Sequence, residues 1–357
     1  MGVGRFAFTP LLPMMQADAG VSLPQGGWLA TANYAGYLAG ALWAAAQPVR
    51  AAIAIRGGLL AIAFATAAMG LVQGLLPWLL LRAAAGVASA WVLIHVSSWC
   101  LGQLAPLRRP LLNSMVYAGV GAGMMAAGLL CVAFMRLQAG SGAGWIALGI
   151  AALAASAAIW PIFAGTEIPR SGSNGYRWNA DSVRLVLCYG AFGFGYIVPA
   201  TFIPVMARDS IADPAVFGWA WPLFGAAAAA STLAAAPLLS RWSNRGVWIA
   251  GHFVMALGVA APLALGGMAG ILLSSLCVGG TFMVITMVGL QEARSRAGAH
   301  AARLMAAMTA AFAAGQIVGP AFASVWIAAG GALSGVLWVA ASALVASGCV
   351  LLRRKPE

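Results

Sequence analysis

The sequence predicts an all-α, polytopic membrane protein whose helices form two similar halves. Three observations predict this class: the composition, the lengths of the apolar runs and an internal repeat. Of the 357 residues, 62% are hydrophobic and 7% are charged, and the mean hydropathy is +0.92. A soluble domain of this length would have too few polar side chains to cover its surface.

The apolar runs give the number of predicted helices. A spanning helix needs about 20 mostly apolar residues. Twelve such runs, separated by Gly, Pro or charged residues, are 1–17, 25–46, 57–74, 77–102, 111–135, 144–164, 183–207, 217–240, 247–265, 269–291, 303–327 and 330–352. We therefore expect a six-helix bundle over 1–164, a polar linker over 165–182 and a second six-helix bundle over 183–357.

An internal repeat relates the two halves. Shifting the chain by 191 positions places residues of the first two runs on identical residues of the seventh and eighth without a gap. The matching pairs are Gly2 with Gly193, Gly4 with Gly195, Pro13 with Pro204, Met15 with Met206, Asp18 with Asp209, Gly27 with Gly218, Trp28 with Trp219 and Arg50 with Arg241. Repeats of this kind are typical of secondary transporters, with the substrate site at their interface.

The first run is short compared with its counterpart. Ten residues, Val183 to Phe192, precede Gly193, whereas only Met1 precedes Gly2. We expect the first helix to lack about three turns and a longer reading frame to begin upstream of Met1. The alternative is a naturally short first helix, which local thinning of the bilayer tolerates.

The basic residues predict the orientation in the membrane. One side of the predicted topology takes two, Arg136 and Arg208, and Arg5 and Arg82 fall inside runs. The other side takes fifteen: Arg50, Arg56, Arg108, Arg109, Arg170, Arg177, Arg184, Arg241, Arg245, Arg294, Arg296, Arg303, Arg353, Arg354 and Lys355. This bias predicts that both termini and the linker are cytoplasmic. It also explains the net charge of +12 without a nucleic-acid partner, since no basic stripe lies on a soluble module.

Neither a metal centre, a cofactor site nor a catalytic centre is predicted. The five cysteines lie inside apolar runs with no metal-ligand spacing. The seven acids, all placed in loops or the tail, are Asp18, Glu167, Asp181, Asp209, Asp213, Glu292 and Glu357. Without a carboxylate inside the membrane, we expect any proton coupling to use His95, His252 or the substrate's own charge.

Several motifs resemble those of the major facilitator superfamily. Residues Arg82–Ala90, RAAAGVASA, resemble its RxxQG motif, with Ala85 in place of the glutamine. GVGAGMMAAG, from Gly119 to Gly128, resembles the GxxxGPxxxG antiporter motif, with Met124 in place of the proline. GQIVGPAFAS keeps the spacing of Gly315, Gly319 and Pro320, whereas PLLSRWSNRG is a degraded form of the loop motif GxxxDRxGRR.

Two stretches resemble one branch of that superfamily more closely. GVGRFAFTPLLPMM and MTAAFAAGQIVGP are similar to the bacterial YbfB/YjiJ-like transporters. The resemblance covers the whole chain and implies the fold, a general transport role and the bacterial inner membrane. It implies no particular substrate.

Arg5 is the strongest candidate for substrate binding. In a first helix of full length it would lie near the middle of the membrane, where an unpaired charge costs several kcal/mol. We therefore expect it to face a central cavity and to bind an anion. The alternative is that Arg5 bonds to carbonyl groups of a neighbouring helix and locks the halves together. Arg82 lies near the end of its run, so its head could instead extend to the membrane surface.

Helical spacing adds further candidates. The predicted cavity residues are Arg5, Thr9, Asn33, Tyr37, Arg82, Tyr196, Thr309, Phe312 and Gln316. The predicted packing and bending positions are Gly86, Gly119, Gly123, Gly315, Gly319 and Pro320. For any single cavity residue, helix–helix contact is an equally good interpretation, and the two histidines fit a packing role as well as proton transfer.

The sequence thus predicts a monomeric secondary transporter in contact with lipid, with a small organic anion as its substrate. One alternative is efflux of neutral or amphipathic compounds with a structural Arg5. Another is a receptor or scaffold of transporter shape, for which the sequence shows no extra soluble domain. An enzyme is not predicted, because no set of acid, base and nucleophile occurs.

The charge bias makes the orientation testable. A cysteine introduced by Ser173→Cys in the predicted linker should resist an impermeant thiol reagent added to intact spheroplasts, because the linker is expected in the cytoplasm. Cells permeabilised before labelling serve as the control. Clear labelling from outside would invert the predicted topology.

Overall fold

The computed structural model describes residues 2–46, 49–107, 109–163, 176–210 and 219–352. These residues form α-helices joined by short loops and three short 3₁₀ segments, without β-strands, which confirms the all-helical prediction for the described part of the chain. Most of the predicted linker, residues 164–175, lies outside it, as do Glu167, Asp213 and Glu357.

Thirteen α-helices occur in the described residues. They are α1 (Gly2–Phe6), α2 (Phe8–Asp18), α3 (Leu23–Ala46), α4 (Ala51–Ala68), α5 (Leu75–Leu104), α6 (Pro110–Arg136), α7 (Ser141–Ile159), α8 (Ala180–Ser210), α9 (Ala220–Leu239), α10 (Asn244–Leu265), α11 (Gly267–Ala297), α12 (Ala301–Ala328) and α13 (Leu333–Leu352). Nine stretches of the described residues are long and apolar enough to span a bilayer, and one of them, Gly267–Ala328, contains both α11 and α12.

The helix ends follow local sequence signals. Pro110 occupies the start of α6, where its missing N–H costs nothing. The Ser243 hydroxyl accepts a hydrogen bond from the Gly246 amide at 3.1 Å and caps α10. Gly298, with φ of +51°, ends α11 in a conformation that favours glycine. Asp18 accepts bonds from the Ser141 amide and, at 2.8 Å, from its hydroxyl, so it caps the start of α7.

The first predicted helix is interrupted near Arg5. Ala7 forms a turn between α1 and α2, although the Ala7 amide still bonds to the Val3 carbonyl at 2.8 Å. Pro10, which has no N–H, follows in α2, so the carbonyl four residues earlier loses its usual helical donor. A break of this kind places backbone acceptors near the side chains of the site.

Helix contacts in the first part of the chain recur in the second. Helix α3 packs on α5, α4 on α5, and α4 on α7; in the same order, α9 packs on α11, α10 on α11, and α10 on α13. Helix α1 packs on α6 as α8 packs on α12. Two further pairs, α6 with α9 and α3 with α12, join the two sets. The repeat seen in the sequence is therefore also a repeat of contacts.

Glycines allow close backbone approach at these crossings. A Cβ on Gly121 of α6 would lie 2.4 Å from the Ala229 nitrogen of α9, and one on Gly86 of α5 would lie 2.2 Å from the Asn33 carbonyl oxygen of α3. A Cβ on Gly315 is similarly confined by backbone, at 2.3 Å from the Gly190 carbonyl oxygen; one on Gly319 would meet the Ile197 side chain at 2.5 Å, and one on Gly123 would meet the Gly2 Cα at 3.1 Å. Gly119 is not confined: nothing lies within 4 Å of its Cβ position. The prediction that Gly119 is a packing residue is therefore wrong, because this side of α6 is exposed.

Adding one methyl group at two positions of α6 tests this difference. Gly121→Ala should destabilise the protein by about 1–3 kcal/mol, because the methyl group meets backbone atoms of α9. Gly119→Ala is the matched control and should be neutral or slightly stabilising, because alanine favours helix and has space there. Thermal unfolding in detergent measures both. Equal melting temperatures would contradict the assigned α6–α9 contact.

Candidate functional site

Arg5 lies at the centre of the candidate site and bonds across the contact between the two sets of helices. Only 4% of the residue is exposed. Its Nη2 donates a hydrogen bond to the Gln316 side-chain carbonyl on α12 at 2.5 Å. Its guanidinium carbon lies 3.6 Å from the ring centroid of Tyr37 on α3, within cation–π range. Its Nε has no hydrogen-bond partner among the described residues.

Arg82 reaches the same place from α5. Its Nη2 donates to the Arg5 carbonyl at 3.3 Å, beside the break between α1 and α2. Its guanidinium carbon lies 4.8 Å from the ring centroid of Phe8, and 3% of the residue is exposed. The side chain therefore points inward, and the alternative considered for it, extension to the membrane surface, does not hold. Bonding to a backbone carbonyl inside the protein replaces the water that it would find at the membrane surface.

The crossing of α3 and α5 holds Arg82 in position. Gly36 and Gly40 of α3 and Gly86 of α5 let the two backbones touch. At this distance the Asn33 side-chain amide donates to the Arg82 carbonyl at 3.0 Å. The Asn33 Oδ1 atom and the Arg82 Nε atom are buried without hydrogen-bond partners in the described structure. The site thus holds an unpaired amide acceptor beside guanidinium donors that also lack partners.

Two small cavities meet at Arg5. One, of about 20 Å³, is lined by Arg5, Phe6, Tyr37, Leu93, Val120, Tyr189, Phe282, Met283, Thr286 and Phe312. The other, of about 40 Å³, is lined by Arg5, Phe6, Phe8, Thr9, Ala30, Asn33, Tyr34, Arg82, Tyr196, Ile197, Ala200, Trp221 and Gln316. Each has room for water-sized molecules but not for an organic solute.

The cavities are displaced along the helix axes. On α5, Leu93 lines the smaller cavity and Arg82 the larger, a separation of about 16 Å at the helical rise. On α12, Phe312 and Gln316 divide in the same way. The smaller cavity lies nearer the end of the molecule where α5 meets Arg294 of α11. The Arg5 guanidinium is therefore bordered from both directions along the predicted membrane normal.

The cavity walls are mainly aromatic. Tyr196 stacks on Phe282 with a centroid distance of 4.4 Å and an interplanar angle of 14°. Trp221 stacks on Phe224 at 5.4 Å and 5°. Stacked and tilted rings of this kind form a flat, polarisable surface beside the two cations. Such a site suits an anion with an apolar or aromatic body.

Most predicted cavity residues do meet here. Arg5, Thr9, Asn33, Arg82, Tyr196 and Gln316 border the larger cavity, and Arg5, Tyr37 and Phe312 border the smaller. Thr309 borders neither and donates to the Met305 carbonyl of its own helix at 2.7 Å. Sequence reasoning missed Phe8, Trp221, Phe282 and Thr286, which lie in apolar runs where spacing gives no reason to prefer one side chain over its neighbours.

The two histidines lie away from these cavities. His95 Nδ1 pairs with the Trp91 carbonyl at 2.8 Å in its own helix. His252 Nδ1 pairs with the Trp248 carbonyl at 3.1 Å, and its Nε2 pairs with the Ser347 hydroxyl at 3.3 Å. The bond to Ser347 joins α10 to α13 and gives His252 a packing role. A proton-carrying role for either residue stays a prediction.

A cluster of ion pairs lies at the end where α8 and α10 begin and α11 finishes. Arg245 Nη2 lies 2.7 Å from an Asp181 oxygen and 3.3 Å from a Glu292 oxygen, and Arg296 Nε lies 3.1 Å from Glu292. Glu292 is inside α11 and 6% exposed, and Asp181 is in the first turn of α8. The prediction that these acids lie in loops is wrong, because the helices extend further than their apolar runs; the same holds for Asp18 at the end of α2 and Asp209 in α8.

Comparison with known families covers nearly the whole chain. The family described as "Uncharacterised MFS-type transporter YbfB" matches residues 1–352. The comparison with curated protein sequences gave no match.

Solved transporters share the fold. The human organic anion transporter MFSD10 (TETRAN) is similar with a TM-score of 0.71 and 15% identity, over 98% of this chain and 96% of that one. The fucose:proton symporter FucP of E. coli gives 0.65 and 13%, over 98% and 94%. FucP in the outward conformation gives 0.71 and 13%, over the same shares. At these identities the likeness concerns the fold alone.

We expect the ion-pair cluster to contribute measurably to stability. Glu292→Gln should destabilise the protein by about 1–3 kcal/mol, because Arg245 loses a largely buried acceptor. Arg303→Gln also changes the net charge by one unit but lies at an exposed position of α12, so it should change stability by less than about 0.5 kcal/mol. Thermal unfolding of both variants decides. A Glu292→Gln variant as stable as its control would show that the cluster contributes nothing.

Proposed function

Since the chain belongs to the major facilitator superfamily, in the family described as uncharacterised MFS-type transporter YbfB, we propose that it is a secondary transporter of small organic anions. In this proposal twelve helices form two six-helix bundles, 1–164 and 183–357, joined by the linker 165–182. Both termini and the linker face the cytoplasm of a bacterial inner membrane. The repeated helix contacts and the distribution of arginines support this arrangement.

The observation that carries the proposal is the position of the Arg5 guanidinium. It is buried, it bonds to a neutral amide rather than to an acid, and it borders cavities on both of its sides. Among the described residues, the ion pairs of the acids involve Arg184, Arg245 and Arg296, not Arg5 or Arg82. A carboxylate entering from either end would supply the charged acceptor that Arg5 does not find among the described protein side chains.

Transport follows from rocking of the two bundles about this site. Opening between the bundles on one side would widen one cavity, and opening on the other side would widen the second. Arg5 borders both, so it can hold the same anion before and after the change. Arg82 adds a second positive charge to the larger cavity, and the aromatic walls contact the apolar part of the solute.

A second function is favoured by one observation. The bond from Arg5 to Gln316 joins α1 to α12, which is what a structural lock between the halves would do. In that case the carrier would move neutral or amphipathic compounds along its aromatic walls. The two functions differ in whether a negative charge on the solute improves its binding.

Binding of a matched pair of solutes tests the proposal. Benzoate should raise the melting temperature of the purified protein, whereas benzamide, its neutral counterpart, should not, because binding to the folded state stabilises it. Arg5→Lys should weaken benzoate binding by about 1.5–3 kcal/mol, since the charge stays but the planar pair of donors is lost. Arg5→Gln should abolish it.

The controls separate binding from folding. Arg5→Gln should remain monodisperse in detergent and keep most of its melting temperature without ligand. Succinate and inorganic phosphate extend the screen to other anions. A large loss of melting temperature in Arg5→Gln, together with equal stabilisation of the wild type by benzoate and benzamide, would refute the anion proposal in favour of the lock.

A further inference from the structure

We propose that Gln316 is an internal substitute for the substrate's carboxylate, which lets the carrier close over Arg5 when no anion is bound. This inference rests on the proposed function, since it concerns the same site. It names Gln316 as the residue that decides whether the empty carrier can reorient, and hence whether net transport is possible in addition to exchange.

The space around the Arg5 guanidinium is nearly filled by the protein itself. The cavities beside the guanidinium are too small for an organic solute, and the position in front of Nη2 is taken by the Gln316 Oε1 atom at 2.5 Å. An amide carbonyl and a carboxylate oxygen are both acceptors that bind a guanidinium N–H. Gln316 is itself 1% exposed, so the contact with Arg5 is shielded from bulk solvent.

The energetic need for such a substitute is large. A buried cation without an acceptor carries the full cost of desolvation, and in the membrane region that cost disfavours closure. An acid in place of Gln316 would satisfy Arg5 permanently and compete with every incoming anion. A neutral amide bonds more weakly than a carboxylate, so it holds the guanidinium during closure and yields to the substrate.

The neighbours of Gln316 allow this exchange. Gly315 and Gly319, on either side of it, bring α12 against α8, where a Cβ on Gly315 would lie 2.3 Å from the Gly190 carbonyl oxygen. The Gln316 side chain borders the larger cavity together with Arg82, Asn33 and Tyr196. When a carboxylate displaces the amide from Arg5, the amide can turn toward that polar cavity without losing contact with polar groups.

The test measures closure directly and requires no substrate. Spin labels in the full-length chain, with its five cysteines replaced by alanine, report the opening at each end. One pair of labels replaces Gln103 of α5 and Ser295 of α11. The other pair lies at the opposite end of the molecule and replaces Leu137, just after α6, and Trp219, just before α9. All four positions are exposed. Double electron–electron resonance on the ligand-free protein gives the fraction closed at both ends.

Three variants give distinct expected results. Gln316→Leu should lower the ratio of closed to open carrier by about tenfold or more, since Arg5 is left unpaired. Gln316→Glu should keep or raise that ratio, because it supplies a charged acceptor. Gln316→Leu combined with Arg5→Leu should restore closure, because the uncompensated charge is gone. Thr309→Val is the matched control on the same helix and should change nothing, since Thr309 bonds to its own helix.

Two results would overturn the proposal. One is a Gln316→Leu variant that closes as well as the wild type. The other is a double variant that stays open, which would mean that the amide is needed for packing and not for the charge. A loss of closure in Gln316→Glu counts against the proposal in the same way.

Benzoate then separates this inference from the proposed function. If the site binds anions, Gln316→Glu should weaken benzoate binding at least about tenfold while the carrier still closes. If closure follows Gln316 as expected but benzoate and benzamide stabilise the wild type equally, the internal pairing stands and anion transport fails. If benzoate binds but the fraction of closed carrier is the same in the Gln316 variants as in the wild type, anion transport stands and this inference fails.

Discussion

The structure is organised around a positive charge that cannot leave the protein interior. The guanidinium of Arg5 is carried on α1, and only 4% of the residue is exposed. Three features around the guanidinium offset part of its desolvation cost: the amide of Gln316, the ring face of Tyr37, and cavities of a size to hold water. Arg82 depends on the same place, because it bonds to the carbonyl of Arg5. A substitution at residue 5 would remove the side-chain bond to Gln316 but keep the backbone carbonyl that accepts from Arg82.

Glycine-rich crossings make this arrangement possible. At Gly86, Gly121 and Gly315 the helices touch backbone to backbone, so no large interdigitated side chains at these points have to separate when the helices move. Such contacts are tight enough to exclude lipid and yet have little side-chain interlocking to resist sliding. The ion pairs of Asp181 and Glu292 act at one end only, where they hold α8, α10 and α11 together. Glycine-rich helix crossings and a single cluster of ion pairs at one end fit the proposed rocking of the helix bundles about a central site.

The absence of an acid beside Arg5, within the described residues, sets this site apart from one that couples transport through a buried carboxylate. A neutral partner neither gains nor loses a proton as the site opens and closes. In the proposed function the opposite charge then comes from the solute or from a more distant group, since the amide of Gln316 is only a neutral acceptor. His252 is engaged in contacts between α10 and α13, so its environment gives no sign of a proton path to Arg5.

The sequence by itself determined the membrane class, the helical fold, the repeat and most of the cavity residues. Hydrophobic length and helical spacing are local properties, and a buried arginine is costly wherever it lies, so Arg5, Asn33, Tyr196 and Gln316 could be found without coordinates. Only the tertiary structure decided which partners they have. The pairing of Arg5 with Gln316, the inward turn of Arg82, the burial of Glu292 and the open surface at Gly119 depend on how helices far apart in sequence cross. In a chain so rich in Ala, Gly and Leu, many crossings are compatible with the same apolar pattern, and only the packed backbone distances distinguish between them.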